Sequence, residues 1–212
     1  MNLDYLFRHP ERVLELTREH LILCALAMFF AALLAIPLGA AAARWRRLTL
    51  PILGVLGAIY TVPSLAFLAF MIPTLGIGRT PALIALAAYA QIFLVRNLVA
   101  GLRGVDASTL EAARGQGMTG WQVFRDVRWP LALPVAIAGV RTAFVSTIGL
   151  ASVAAWIDAG GLGTLLFEGI TRDDPSRILT GAVAITALAL LADALLRLAE
   201  RNTAIARARR AA

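Results

Sequence analysis

The sequence predicts an all-α, polytopic membrane protein with five transmembrane helices and a cytoplasmic helical hairpin between the third and the fourth. Three observations predict it. Hydrophobic residues make up 59% of the 212 positions and charged ones only 16%, against about a quarter charged in an ordinary soluble domain. Uncharged apolar runs recur along the chain, and about 20 such residues cross a hydrocarbon slab of ~30 Å. One stretch, EAARGQGMTGWQVFRDVRWP (111–130), breaks the pattern with charges, glycines and tryptophans.

Taken in order, residues 1–20 read as an amphipathic surface segment. Leu3, Leu6 and Phe7, then Val13, Leu14, Leu16 and Thr17, recur at near-helical spacing with charges between them, as in a helix lying at the membrane interface. Residues 21–200 form a single transmembrane domain. Span one is 21–43, LILCALAMFFAALLAIPLGAAAA, about 34 Å long at ~1.5 Å per helical residue. Its Pro37 and Gly39 are tolerable because neighbouring helices can re-satisfy freed backbone groups.

Span two, about 50–73, carries no charge and should bend near Pro63; the TLGIGRTP that follows reads as a turn. Span three is 81–101, interrupted near its end by Arg96 and Asn97; span four is 131–156 and span five 177–198. Between the last two, IDAGGLGTLLFEGITRDDPS (157–176) is too polar and glycine-rich to cross. A re-entrant gate segment and a flexible outer loop both fit it. A basic cytoplasmic tail occupies 201–212.

All 20 cationic side chains are arginines, and the net charge is +7. With the N-terminus outside, the cytoplasmic segments hold twelve: Arg44, Arg46, Arg47, Arg103, Arg114, Arg125, Arg128, Arg197, Arg201, Arg207, Arg209 and Arg210. The outer segments hold six: Arg8, Arg12, Arg18, Arg79, Arg172 and Arg177. The positive-inside bias therefore puts the hairpin and the C-terminus in the cytoplasm. A nucleic-acid surface is excluded, since no soluble segment is long enough to carry a basic face with stacking aromatics.

Cys24 is the one cysteine, so no intrachain disulfide forms. The first twenty residues lack the short apolar core and small-residue cleavage site of a signal peptide. His9 and His20 both fall in that segment, and no His/Cys/Asp cluster or nucleophile–base pair marks a span. Neither an enzyme nor a metal site is expected. GxxxxGK[ST] is absent as well, so the chain cannot hydrolyse ATP by itself.

The hairpin carries two helix starts. Ser108-Thr-Leu-Glu111 and Thr119-Gly-Trp-Gln122 both match the capping box, in which two side chains satisfy orphan backbone donors reciprocally. Gly115 and Gly117 fall between them, where a left-handed residue ends a helix, and Pro130 follows as an early residue of the next. Ala112 and Ala113 keep the first helix narrow, while Trp121, Phe124 and Val127 form an apolar stripe on the second. Such a hairpin can insert into a groove on another protein, or simply cap the loop.

Glu111, Ala112, Ala113, Gly117, Val127, Trp129 and Pro130 resemble the EAA loop of the membrane subunits of binding-protein-dependent ABC importers. The family usually has Leu where Trp129 stands. IYTVPSLAFLAFMIPTLGIGRTPALIALAAYA, the Arg96-Asn97 pair before AGL, WPLALPVAIAGVRTA and the later AGGLG extend the resemblance over about residues 10–200. They are similar to the branch importing glycine betaine, choline, carnitine and related osmoprotectants.

The resemblance implies a type I ABC importer permease fold in a bacterial or archaeal cytoplasmic membrane. It implies a second permease subunit, an extracytoplasmic solute-binding protein, and two ATPase subunits that bind ATP and grip the paired loops. The coupling residues would be Glu111, Ala112, Ala113 and Gly117, with Trp121 and Phe124. No cofactor of the chain's own is implied. A permease for another small solute such as an amino acid shares the architecture. An ion-coupled secondary transporter would need an ion site or inverted repeats, and neither is visible.

Polar residues inside spans are the remaining candidates. Arg96 can snorkel to the interface or meet the coupling loop. Arg141, about ten residues into span four, is expected against a partner subunit or the coupling region, unless the span starts later. Asp193 and Arg197 suit a local i,i+4 ion pair. Tyr60, Thr61 and Ser64 beside Pro63, with Ser146 and Thr147 in span four, could line a path for a zwitterion or quaternary cation. Small hydroxyls also join helices, and that reading stands beside the first.

Overall fold

The computed structural model describes residues 3–201, and among these every regular element is helical. Of the expected basic tail, all but Arg201 lies outside the described residues. The elements are α1 (Asp4–Arg8), α2 (Pro10–Arg44), α3 (Arg46–Thr61), α4 (Ser64–Leu75), α5 (Arg79–Arg103), α6 (Ala107–Gly115), α7 (Gly120–Gln122), a π-helical turn (Val123–Arg128), α8 (Trp129–Ala154), α9 (Gly163–Thr171) and α10 (Pro175–Arg201). Four stretches are long and apolar enough to cross a membrane, and α3 with α4 makes a fifth if that bent pair is one span.

Helix α5 lies at the centre, against α2 on one side and α8 on the other. Its contact with α2 follows a ladder of small residues, Ala27, Ala31, Ala35 and Gly39, each one turn from the next and all buried. Small side chains let membrane helices approach closely, where lipid offers no hydrophobic drive to associate. Toward α8 the approach is closer still: a Cβ on Gly101 would lie 2.8 Å from the Ala132 carbonyl oxygen, and one on Gly139 would collide with Asn97 Cβ.

Three expectations change. The chain does not break at residue 20, because α2 runs unbroken from Pro10 to Arg44. Only residues 4–8 form a separate short helix. The apolar positions read as an interfacial stripe divide: Val13 and Leu16 are buried against Leu162 and Leu165 beneath α9, while Phe7 and Leu14 stay exposed. Packing against α9 and lying on a bilayer demand the same spacing.

Span two breaks as expected at Pro63, but by 92°, giving two arms in place of one bent rod. Proline has no N–H for the helix ladder and drives the preceding residue to extended backbone; Val62 has φ −66° and ψ 130°. Tyr89 of α5 donates its hydroxyl proton to the freed Val62 carbonyl at 2.6 Å.

The helix that carries span four starts eleven residues ahead of position 131. From Gly120 through the π turn to α8 and on to Ile157 the chain is one 38-residue helical stretch, so the hairpin's second arm is continuous with the helix of the span. Pro130, which has no N–H to donate, is the second residue of α8, next to the Trp129 that closes the π turn.

The bundle has two distinct ends. At one, Arg103 of α5 donates to the Ala42 and Ala43 carbonyls that close α2, at 2.6 and 3.3 Å, and Arg128 donates to Leu102 O at 2.9 Å beside the hairpin. At the other, Glu19 of α2 meets Arg79 at the start of α5 and the glycine turn before α9.

Candidate functional site

The hairpin is folded by its own residues. Asp106 caps α6, its carboxylate accepting from Ser108 N at 3.1 Å. The box expected to start at Ser108 is therefore not the one used: the helix begins at Ala107, and Asp106 supplies the acceptor just outside it. Aspartate before a first turn is among the strongest caps. The second box forms as read, with Thr119 Oγ1 accepting from Gln122 N at 3.4 Å and Gln122 Oε1 from Thr119 N at 2.7 Å.

Between them Gly115 completes α6, and Gly117, at φ +82°, makes the left-handed turn. Gly117 N donates to Arg114 O at 2.9 Å and Met118 N to Ala113 O at 3.3 Å, the paired bonds of a Schellman close. Leu110, Ala113 and Val123 form a small core beneath the turn, flanked by Val105, Met118 and Val127.

Two separate faces result. On one, Ser108, Thr109, Ala112, Ala113, Gln116 and Met118 line an open hollow of about 570 Å³, with Glu111 and Ala112 exposed and Ala113 buried. On the other, Trp121 stacks on Phe124 at 5.7 Å between ring centroids and Phe124 meets Trp129 at 6.5 Å. These rings close the end of an apolar groove of about 620 Å³ that continues along Leu94, Leu98 and Leu133. The expected stripe is thus corrected, since Val127 turns into the hairpin core and Trp129 takes its place. A π turn closes i→i+5 hydrogen bonds, and Trp129 N donates to Phe124 O, which brings the two rings onto one side.

At the bend of span two, Tyr60 is 41% exposed and its ring lies edge-on to Tyr89 and Phe93, at 5.9 and 5.1 Å. Thr61 is exposed and donates to Ala58 O at 2.7 Å; Ser64, half-buried, opens α4. Ser146 is half-buried on α8. Thr147 does not join this group. It is sealed in the core, donating to Ala143 O at 2.8 Å and facing Met28 Sδ at 3.8 Å, so here its hydroxyl serves the α8–α2 contact.

Arg96 is exposed on α5. Asn97 donates to Phe93 O at 2.8 Å and presents its Cβ to Gly139. Arg141 finds ion-pair partners in its own chain, Asp193 at 3.5 Å and Glu200 at 3.3 Å, both on α10. The Asp193–Arg197 pair forms at 2.9 Å, so Asp193 is shared between two arginines. Sequence spacing gave no sign of Glu200 or of Tyr89, which act across the bundle. No group of three or more metal-ligating side chains stands together among the described residues.

Comparison with known proteins places this architecture. Over 200 residues the chain is 39% identical to the glycine betaine/carnitine/choline transport system permease protein OpuCB of Bacillus subtilis, spanning 94% of this chain and 92% of that protein. The choline transport system permease protein OpuBB of the same organism is 40% identical over 199 residues, with the same coverage of 94% and 92%. The osmoprotectant import permease protein OsmW of Salmonella typhimurium is also 40% identical over 199 residues, covering 92% of this chain and 93% of its own.

Among solved structures, the inward-facing MetNI methionine ABC transporter superposes with a TM-score of 0.77 at 21% identity, over 96% of this chain and 99% of that one. An amino acid ABC transporter with histidines gives 0.78 at 19%, over 95% and 98%. At such identities the likeness concerns the fold, which is that of type I ABC importer permeases. The model of the family described as binding-protein-dependent transport system inner membrane component matches residues 35–205, and the chain belongs to that family.

Proposed function

We propose that this chain forms the translocation pathway of an ABC importer for a small quaternary-amine osmolyte such as glycine betaine, choline or carnitine. It is a membrane permease subunit and not itself an enzyme; ATP is bound and hydrolysed by separate subunits. The observation that carries the coupling role is the hairpin: it holds itself together through its own core and caps, yet leaves Glu111, Ala112 and the adjoining hollow free. A docking element needs that combination of rigidity and open surface.

In this reading the hairpin faces the cytoplasm, where most of the arginines between helices also gather, and the N-terminus lies outside. Two permease subunits, identical or sister chains, surround the pathway, and an extracytoplasmic binding protein delivers the solute. Support for the solute class comes from the named relatives, at 39–40% identity over nearly the whole chain. Tyr60, Thr61 and Ser64 flank the 92° break, where an aromatic ring and hydroxyls can meet a quaternary ammonium as its hydration is stripped.

Co-expression with the ATPase and binding protein tests both parts. Glu111→Lys should abolish co-purification of the ATPase and uptake together. Radiolabelled glycine betaine, choline or carnitine should be taken up and methionine should not. Retained assembly with Glu111→Lys would sink the docking role, and uptake of methionine alone would sink the solute class.

A further inference from the structure

At the end of the bundle opposite the hairpin, two consecutive residues of α2 grip the glycine turn that leads into α9. Glu19 Oε2 accepts from Gly161 N at 3.0 Å, and Oε1 takes Arg79 from the first turn of α5 at 3.2 Å. His20 Nδ1 accepts from Leu162 N at 3.3 Å, and its Nε2 meets Ile148 O of α8 at 3.0 Å. The imidazole is wholly buried. The turn around it is left-handed at Asp158, Gly160 and Gly161, with φ of 62°, 83° and 81°. A Cβ on Gly161 would lie 2.9 Å from His20 Nδ1. One side chain thus joins α2, α8 and the turn.

The polarity of the contacts fixes the ring's state. A backbone N–H only donates and a carbonyl only accepts, so the proton is on Nε2 and Nδ1 carries none. A second proton would set N–H against N–H at Leu162. Among the described residues the ring's hydrogen bonds are to backbone, and no carboxylate takes part in them. Glu19 is already engaged by Gly161 and Arg79, and with Arg79, Arg12, Asp158 and Thr164 it lines a polar hollow of about 230 Å³ against the turn. From α8 the nearest charged side chain is Arg141, two turns toward the hairpin and held by Asp193 and Glu200. Glu168 of α9 is held by Arg177 of α10, which also takes Asp174. Along α2 the next titratable group is Cys24, one turn on.

We infer that Glu19 and His20 form an acid-sensitive clasp that fixes the glycine turn and α9 to spans one and four, and that protonating His20 opens it and slows transport. The clasp follows from the geometry alone, while its effect on transport, and its place on the outer side, rest on the proposed function. Histidine is the side chain whose charge changes in this range. The ring is here a positioning group: it touches backbone, not solute.

Hydrogen exchange on the assembled transporter in proteoliposomes, with its ATPase and binding protein, reads the clasp directly. At about pH 4.5 against about pH 7.5, the lower value set well below the ordinary imidazole range because a wholly buried ring with only backbone partners resists a second proton, the Gly161 and Leu162 amides should lose about tenfold in protection beyond the intrinsic chemistry. His20→Gln, which cannot take up a proton, should show no such change; His20→Asn, whose carbonyl falls near Nδ1, serves if the glutamine variant does not assemble. Uptake should fall with acid in the wild type and not in these variants.

Unchanged protection in the wild type, or an equal change in the His20 variants, overturns the clasp. An acid-sensitive clasp with acid-insensitive uptake overturns its role in transport. A complex that takes up no quaternary amine counts against the solute class, and the exchange result still decides the clasp.

Discussion

Ala112 and Ala113 are neighbours in the sequence and should fail in different ways when each is replaced by aspartate. Ala113 is 7% exposed and lies with Leu110 and Val123 in the hairpin core, whereas Ala112 is exposed on the rim of the open hollow. A carboxylate at 113 would be buried without a partner, and an uncompensated buried charge costs about 3–5 kcal/mol. The opposing term is small. Two buried large side chains, at about 1.5–3 kcal/mol each when fully buried, are most of what holds the hairpin shut.

A loss of ~3 kcal/mol, at about 1.4 kcal/mol per tenfold, therefore raises the open population about a hundredfold. Trypsin reports it, because Arg114 is exposed but helical and is cut only from the locally opened state. Ala113→Asp should accelerate cleavage after Arg114 by about two orders of magnitude, in step with that population. Ala112→Asp should leave the cleavage rate close to that of the wild type and still weaken co-purification with the ATPase. Equal resistance to trypsin in Ala113→Asp and wild type would refute the hairpin core; rapid cleavage of Ala112→Asp would refute the division into two faces.

Two further substitutions test the bundle. Gly101→Ala brings a methyl to 2.8 Å from the Ala132 carbonyl oxygen, a backbone atom that cannot swing aside; α5 and α8 must separate, at a cost of about 1–3 kcal/mol. Thermal unfolding of the purified complex should show it, and an unchanged midpoint would mean that the helices are not in close contact there. Tyr89→Phe removes the hydroxyl bonded to Val62 O at the break of span two and leaves a carbonyl unpaired, worth about 1–3 kcal/mol when buried. Val62 is exposed, so stability should fall by no more than about 1 kcal/mol, the net worth of an ordinary hydrogen bond, and uptake should fall more than ATPase docking; unchanged uptake would show that the bond does not hold the break.

What the sequence made legible was whatever depends on neighbours along the chain. Apolar runs marked the spans, Pro63 marked the break, and Thr119 with Gln122 named their own cap, because each signal and its structural effect lie within one or two turns. Ambiguity entered where one local pattern serves two environments. Residues 10–20 carry a stripe that suits a bilayer surface and α9 equally, and only the position of Leu162 and Leu165 decides between them. Asp106 and Ser108 are both good caps two residues apart, and the carboxylate won. Arg141 could be recognised as a charge needing partners, but Asp193 and Glu200 come to it only through the fold.

The π turn was the least legible feature and has the largest consequence for coupling. The hairpin's first arm joins α5 through Gly104, Val105 and Asp106, which are not helical, whereas its second arm enters α8 with no interruption except a change of hydrogen-bond register. A displacement of the hairpin can be absorbed on the first side and must travel along the helix on the second. Beyond the π turn that helix meets α5 closely at Ala132 and Gly139, and Arg141 ties it to α10. In the proposed function α8 is therefore the arm that carries movement into the bundle. The π turn, whose hydrogen bonding departs from the α ladder, lies where the hairpin's own core ends and the membrane core begins.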